Sequence, residues 1–200
     1  VVWCSGGLVV WFVNLITKYA TRPDYHQTTR LQLNIGMKIL NEKQILQKIK
    51  RLAFEVLENN YNEEQLYILG VNNNGAKVAD LLVKELKAIT DVEIIPSHIR
   101  LNPADPLGSE IVVKTPLKEL KNKVVIVVDD VASTGRTAFY ACKPLLNTLP
   151  KKLEMVVLVD RMHKSFPIKV DYVGISLATT LKENIDVRIR DVEEMEVNLI

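Results

Sequence analysis

The sequence offers little that would tie it to an oxidising compartment, a metal cage or a membrane. Its two cysteines, Cys4 and Cys142, lie far apart and form neither a zinc-type pair nor a disulfide framework. Both read as free thiols, and the chain as cytoplasmic. The opening VVWCSGGLVVWFVNLI is apolar, but it has no basic residues before it and is shorter than the roughly 20 residues that span a bilayer. No membrane partner is expected. The 26 basic and 24 acidic residues are spread along the chain for a net charge of +2, with no basic block of the kind that binds a phosphate backbone. Neither the Gly-x4-Gly-Lys-Ser/Thr loop nor the Gly-x-Gly-x-x-Gly turn is present, which excludes the ATPase and dehydrogenase classes those motifs mark. Internal repeats and low-complexity tracts are also missing.

What is present suits one globular domain: 200 residues, 48% hydrophobic and 25% charged. Residues 1–36 differ from the rest and are expected to be a non-domain N-terminal extension, with the domain occupying 37–200. Breaks at Pro23 and Gly36 precede Met37, which opens a regular pattern. From Asn41 to Asn59, Ile45, Leu46, Ile49, Leu52, Ala53, Val56 and Leu57 recur at three and four and predict a helix capped by Asn41. QLYILGV (65–71) predicts a strand, Asn72 to Gly75 a polar turn, and Ala76 to Lys87 a helix. Val92 to Ile99 predicts a strand, followed by a loop through Pro103, Pro106 and Gly108 able to cover a site, with Ile111 to Val113 returning as a strand. Val124 to Val128 and Met155 to Val159 are continuous apolar runs, and Thr137 to Leu149 reads as a helix kinked at Pro144. Strands apolar on both faces predict an α/β fold: a central, mostly parallel sheet flanked by helices.

The chemistry concentrates in VVIVVDDVASTGRT (124–137). A buried strand running into a tight turn and a helix presents backbone donors beyond the carboxyl end of a sheet, where a phosphate dianion fits. Gly135 allows close approach, and Ser133, Thr134 and Thr137 add hydroxyl donors. Asp129 and Asp130 would repel a phosphate directly. They suit instead the two hydroxyls of a ribose and a cation-like transition state.

This stretch resembles the type I phosphoribosyltransferases, and segments across most of Ile39 to Thr180 resemble their pyrimidine operon attenuator and uracil phosphoribosyltransferase branch. Those segments are ILNEKQILQKIKRLAFEVLE, LYILGVNNNGAKVADLL and VLVDRMHKSFPIKVDYVGISLATT. The resemblance implies the type I phosphoribosyltransferase fold with a small base-side hood. It implies transfer of ribosyl phosphate from phosphoribosyl pyrophosphate to a nucleobase, with uracil favoured, and pyrophosphate as the leaving group. It further implies Mg²⁺ chelated by the pyrophosphate, with no protein metal ligand assigned, and a homodimer. Asp129, Asp130 and Arg100 are the implied catalytic residues. Asp129, Asp130, Val131, Ala132, Ser133, Thr134, Gly135, Arg136 and Thr137 would hold the ribose phosphate, and Asn72, Asn73, Asn74 and Gly75 the pyrophosphate. Val159 to Lys164 would form the hood, with Val159, Asp160, Arg161 and His163 at the base. Tyr172 reads as core, and Asp160 and Asp171 as residues able to cap turns.

Three positions depart from the branch. Asn72 to Asn74 are uncharged where basic residues are usual. The lid after Arg100 is short and carries Leu101, Asn102 and Pro103 in place of acids. Phe54 replaces a histidine expected in RNA-binding members, although Lys50 and Arg51 remain as phosphate contacts. An RNA-binding, nucleotide-sensing regulator is therefore the second reading. A purine-base transferase is the third, because the DYVG segment also resembles the hypoxanthine-guanine enzymes.

Overall fold

The structure, a computed structural model, describes residues 36–179 and 183–200. The expectation for the N-terminal extension lies outside the described residues, apart from Gly36. The first described element, β1, is Met37–Asn41.

Helix α1, Glu42–Asn60, follows at once. Asn41 and Gln44 cap it reciprocally: each side chain bonds the other's backbone N–H at 2.9 Å. Such a box satisfies two helix-end donors and contributes about 1 kcal/mol. Its buried face is Ile45, Ile49, Leu52, Ala53 and Val56, the spacing read from the sequence, whereas Leu46 stays 39% exposed. Strand β2, Gln65–Val71, leads into α2, Asn72–Ile89. The polar turn expected over Asn72 to Gly75 is thus the first turn of α2. Asn72 makes the change of direction at φ +51°, a left-handed conformation that Asn tolerates better than most residues.

Strand β3, Glu93–Arg100, pairs in parallel with β2, and β4, only Val112–Val113, returns antiparallel beside β3. Strand β5, Val124–Ala132, runs four residues beyond the apolar stretch. Asp129 and Val131 still align with Val157 and Val159 of β6, Lys152–Arg161, so both acids lie within the strand and not after it. Strand β7, Tyr172–Leu177, completes a six-stranded sheet of order β4-β3-β2-β5-β6-β7, parallel except for β4.

The predicted helix over 137–149 is two pieces: α3, Arg136–Ala141, and a 3-10 turn, Lys143–Asn147. Pro144 explains the break, having no N–H to donate and a ring that crowds the carbonyl four residues back. On one face of the sheet, Leu66, Ile68, Val124, Ile126, Val128, Val156 and Leu158 pack against α1 and α2. On the other, Leu69, Val125, Val127 and Val157 pack against Ala138, Ala141 and Leu145. Alternate side chains of β2, β5 and β6 therefore feed two cores, as expected for parallel strands covered on both faces.

A second, three-stranded antiparallel sheet has the order β1-β9-β8, with β8 Ile185–Arg188 and β9 Glu196–Leu199. This small sheet joins the first described strand to the last two. Val159 to Arg161, read as the start of the hood, belong to β6 of the main sheet, and Val159 is fully buried there. Leu40 and Val197 seat the small sheet in the same core as α1.

Candidate active site

A cleft of about 720 Å³ opens at the carboxyl ends of β2, β3 and β5. Asp129, Asp130, Val131 and Thr137 form one wall, and Asn72, Asn73, Asn74 and Arg100 another. Leu101, Asn102, Pro103, Ser109, Glu110 and Val112 of the lid and its return strand close the third side. The two acids, Arg100 and the turn after β2, chosen from separate parts of the sequence, thus converge on one space.

The acids sit in unlike surroundings. Asp129 is only 6% exposed, and its Oδ1 accepts from Asp130 N at 2.9 Å. Burial pushes its carboxyl well above the usual carboxylate range, and the neighbouring Asp130 adds to the rise. Gly75 lies so close that a Cβ there would stand 2.7 Å from Val128 O and 3.0 Å from Asp129 Oδ1, so α2 packs on the acid only because that position has no side chain. Asp130 is half-buried and accepts from Asn74 Nδ2 at 2.9 Å. The same Asn74 amide reaches Val187 O of β8 at 3.4 Å, and Asn72 Oδ1 accepts from Leu101 N at 3.0 Å. Two of the three asparagines therefore hold the site's architecture: one binds an acid to the small sheet, the other fixes the start of the lid.

Ala132, Ser133, Thr134, Gly135 and Arg136 form the turn from β5 to α3 and do not wall the cleft. Gly135 has φ +81°, and a Cβ on it would meet Ile168 Cγ2 at 2.6 Å. The turn is clamped from behind by residues 160–166. Thr134 O accepts from Ser165 N at 2.9 Å and Phe166 N at 3.1 Å, and Arg161 Nη1 donates to Ser133 Oγ at 3.3 Å. Lys164 Nζ donates to Ala132 O at 3.0 Å and Arg161 O at 2.5 Å and pairs with the Asp160 carboxylate. From the turn, Arg136 Nη2 donates to Ala104 O of the lid at 3.3 Å.

The cleft thus brings the paired acids, Arg100 and Thr137 together, with the glycine turn immediately before Thr137. The phosphoribosyl transferase domain model matches residues 37–191. The chain belongs to that family. Among curated relatives, the bifunctional protein PyrR of Clostridium acetobutylicum is 31% identical over 81% of this chain and 95% of its own. PyrR of Brevibacillus brevis is 34% identical over 80% and 93%. Among solved structures, hypoxanthine phosphoribosyltransferase of Trypanosoma cruzi superposes with a TM-score of 0.66 at 18% identity, covering 80% of this chain and 95% of that one. A hypoxanthine-guanine phosphoribosyltransferase from Bacillus anthracis gives 0.65 at 18%, covering 82% and 96%. At that identity the likeness shows the phosphoribosyltransferase fold.

Within this phosphoribosyltransferase, the residues read as base-side do not line the cleft. Val159 is core, Asp160 is engaged by Lys164, Arg161 braces Ser133, and His163 is exposed. Tyr172 is buried, as the sequence suggested, whereas Asp171 Oδ2 accepts from Met155 N of β6 at 3.0 Å, a bond to a neighbouring strand and not to a local turn. Arg51, read as a phosphate contact, instead donates to Val173 O at 2.6 Å and Gly174 O at 3.0 Å and pairs with Glu55. Lys164, read from the sequence only as the end of the hood, instead braces the turn after β5. Its one sequence mark is its place four residues after Asp160. The lid residues Ser109 and Glu110 carry no pattern that would single them out.

Among the described residues, no group of three or more His, Cys, Asp or Glu could hold a metal, and no helix is long and apolar enough to cross a membrane. A magnesium ion keeps several waters and takes one or two carboxylates plus substrate phosphates, so two acids in an open cleft suit an ion that arrives on the donor. Cys142 is a free, part-buried thiol whose burial pushes it up to about 11. Cys4 lies outside the described residues.

Proposed function

We propose that this phosphoribosyltransferase transfers ribosyl phosphate from phosphoribosyl pyrophosphate to uracil, releasing pyrophosphate and forming uridine monophosphate. The observation that carries the proposal is the placement of Asp129 and Asp130 in the same cleft as Arg100, Thr137 and the turn after β2. The carboxylates accept from the ribose hydroxyls. As the anomeric carbon gains positive charge, the pair stabilises it from a preorganised, partly dry position. Ionising Asp129 beside Asp130 is costly in the empty site, and a cationic sugar offsets that cost, so the acid interacts most strongly where charge develops. The turn from Ser133 to Thr137, held by the Ser165 and Phe166 N–H groups on Thr134 O and by Lys164 on Ala132 O, fixes the 5′-phosphate. The lid excludes water, and Arg136 ties it to the phosphate turn. Magnesium carried by the pyrophosphate would neutralise the leaving group.

Uracil is favoured over a purine because the relatives at 31–34% identity are PyrR proteins, whereas the purine enzymes match at 18% and bear on fold alone. The regulatory reading draws on the word bifunctional in those relatives' name and on the uncharged Asn72 to Asn74. Against a phosphate-binding face on α1 stands Arg51, which is committed to the carbonyls of β7. The test is formation of nucleoside monophosphate from donor, Mg²⁺ and uracil, hypoxanthine or guanine in parallel. Product with uracil alone supports the proposal. Product only with a purine replaces uracil by that base, and RNA binding with no product on any base moves the assignment to the regulator.

A further inference from the structure

Strand β4 ends the main sheet, with β3 on one side and, among the described residues, no strand on the other. Its pairing decides which backbone groups are free. Val112 stands opposite Arg100 and Val113 opposite Ile99, and Lys114 N donates to His98 O at 2.9 Å. Bonded and non-bonded pairs alternate along an antiparallel ladder, so Val112 and Lys114 face β3 while the N–H and C=O of Val113 face outward. A cleft of about 380 Å³ lies along this edge. Every residue from 109 to 113 lines it, which a cleft on one face of a strand would not show, because successive side chains point to opposite faces. Pro116, Leu117 and Pro144 add apolar walls. Leu117 opens another 3-10 turn, Leu117–Leu120, and with Asn147 it also lines an adjoining cleft of about 310 Å³ that reaches Leu149. The two clefts make one groove, from the β4 edge to a leucine that is 73% exposed. Its charges are Lys143 in the first cleft and Lys118 and Lys121 in the second, against one acid, Glu110. Among the described residues, none of these lysines is in an ion pair, and the Asn147 side chain makes no hydrogen bond.

A free strand edge takes up an extended chain through main-chain hydrogen bonds, and pockets beside the edge receive alternate side chains. We propose that this groove binds an extended, acidic and apolar segment of a partner protein, which adds as a further strand beside β4. Its apolar side chains rest against Ile111, Leu117 and Pro144, and its carboxylates meet Lys118, Lys121 and Lys143, whose excess of positive charge selects them. The apolar walls and the outward peptide groups of Val113 favour a polypeptide over a nucleic acid, whose phosphates would use neither. A second copy docked groove to groove would set the three lysines against their own copies, which is repulsive. Ser109, Glu110 and Val112 also line the active cleft, so the bound segment touches the return from the lid.

The experiment is fluorescence anisotropy of a labelled, end-capped peptide of about seven residues alternating valine and glutamate, the length of an ordinary strand, titrated with the full chain. Saturable binding is expected, weakened about tenfold in Lys118→Glu/Lys121→Glu, two exposed positions that do not line the active cleft. Two altered peptides separate the contributions: one with serine in place of valine, and one N-methylated so that its backbone cannot pair. Each should bind about tenfold more weakly than the first. No binding by the parent chain, equal affinity for either altered peptide, or unchanged affinity in the double variant overturns the inference. Displacement of the peptide by single-stranded RNA gives the groove to nucleic acid and overturns it too. So does a dimer of the parent in sedimentation that the two lysine changes dissociate, which makes a second copy the occupant.

Discussion

A carboxyl group 6% exposed and next to a second carboxyl resists ionisation, and in Asp129 this makes stability depend on pH. Its folded value lies above its unfolded one. The stabilisation is therefore complete below the unfolded value, about 3.9, and is lost as pH rises through the folded one. Asp129→Asn keeps an oxygen to accept from Asp130 N and removes the charge. The ligand-free variant should gain about 1 kcal/mol at neutral pH, a rise in Tm of about 2–4 °C, with the gain vanishing in acid and transfer activity lost. Melting curves at several pH values check it, and a variant less stable than its parent at pH 7 contradicts it. Gly135 gives the opposite case. At φ +81° and with Ile168 Cγ2 2.6 Å from where a Cβ would stand, Gly135→Ala should cost about 1–2 kcal/mol and raise the donor KM, measured by urea unfolding and by kinetics. Both residues were legible in the sequence because their chemistry is local: paired acids at the end of an apolar run, and a glycine where a turn needs one. The bonds of Arg51 to Val173 O and Gly174 O were not legible, because those partners are more than a hundred residues away.

Between elements, the segment after β6 supports the turn after β5. Lys164 bonds two carbonyls and a carboxylate there, and its stem passes 3.4 Å from where a Cβ on Gly135 would stand. Lys164→Met leaves three acceptors short of a donor and frees the turn. The expected result is a donor KM raised about tenfold with a smaller change in kcat, partly restored in Lys164→Arg. Equal falls in kcat and kcat/KM with KM unchanged would show that the lysine acts on the transition state and not on the turn. Helix α1 was readable because periodicity and cap agree in one stretch. Helix α3 was overextended because Thr137 to Leu149 keeps helical spacing through Pro144, and the proline prevails. The first turn of α2 was hidden by three asparagines, whose weak helix propensity is overridden by bonds to Asp130 and Leu101.

For the molecule as a whole, the main sheet could be read from strands apolar on both faces, while the small one could not. Strands β1, β8 and β9 are four or five residues each, and β1 pairs Met37 with Leu199 across nearly the full domain, so no local pattern announces the sheet. Its attachment to the core is nevertheless firm. Leu40→Ala, at a site 3% exposed, should cost about 2–5 kcal/mol in urea unfolding. The central claim is that the paired acids in this cleft drive ribosyl transfer. Its most direct measurement is pyrophosphate release from phosphoribosyl pyrophosphate, Mg²⁺ and uracil by the parent chain and by Asp129→Asn/Asp130→Asn, each shown to be folded by its melting curve. Turnover by the parent, abolished in a folded double variant, is the predicted result. Release undiminished by the double variant, or none from the parent with any base, would contradict the account.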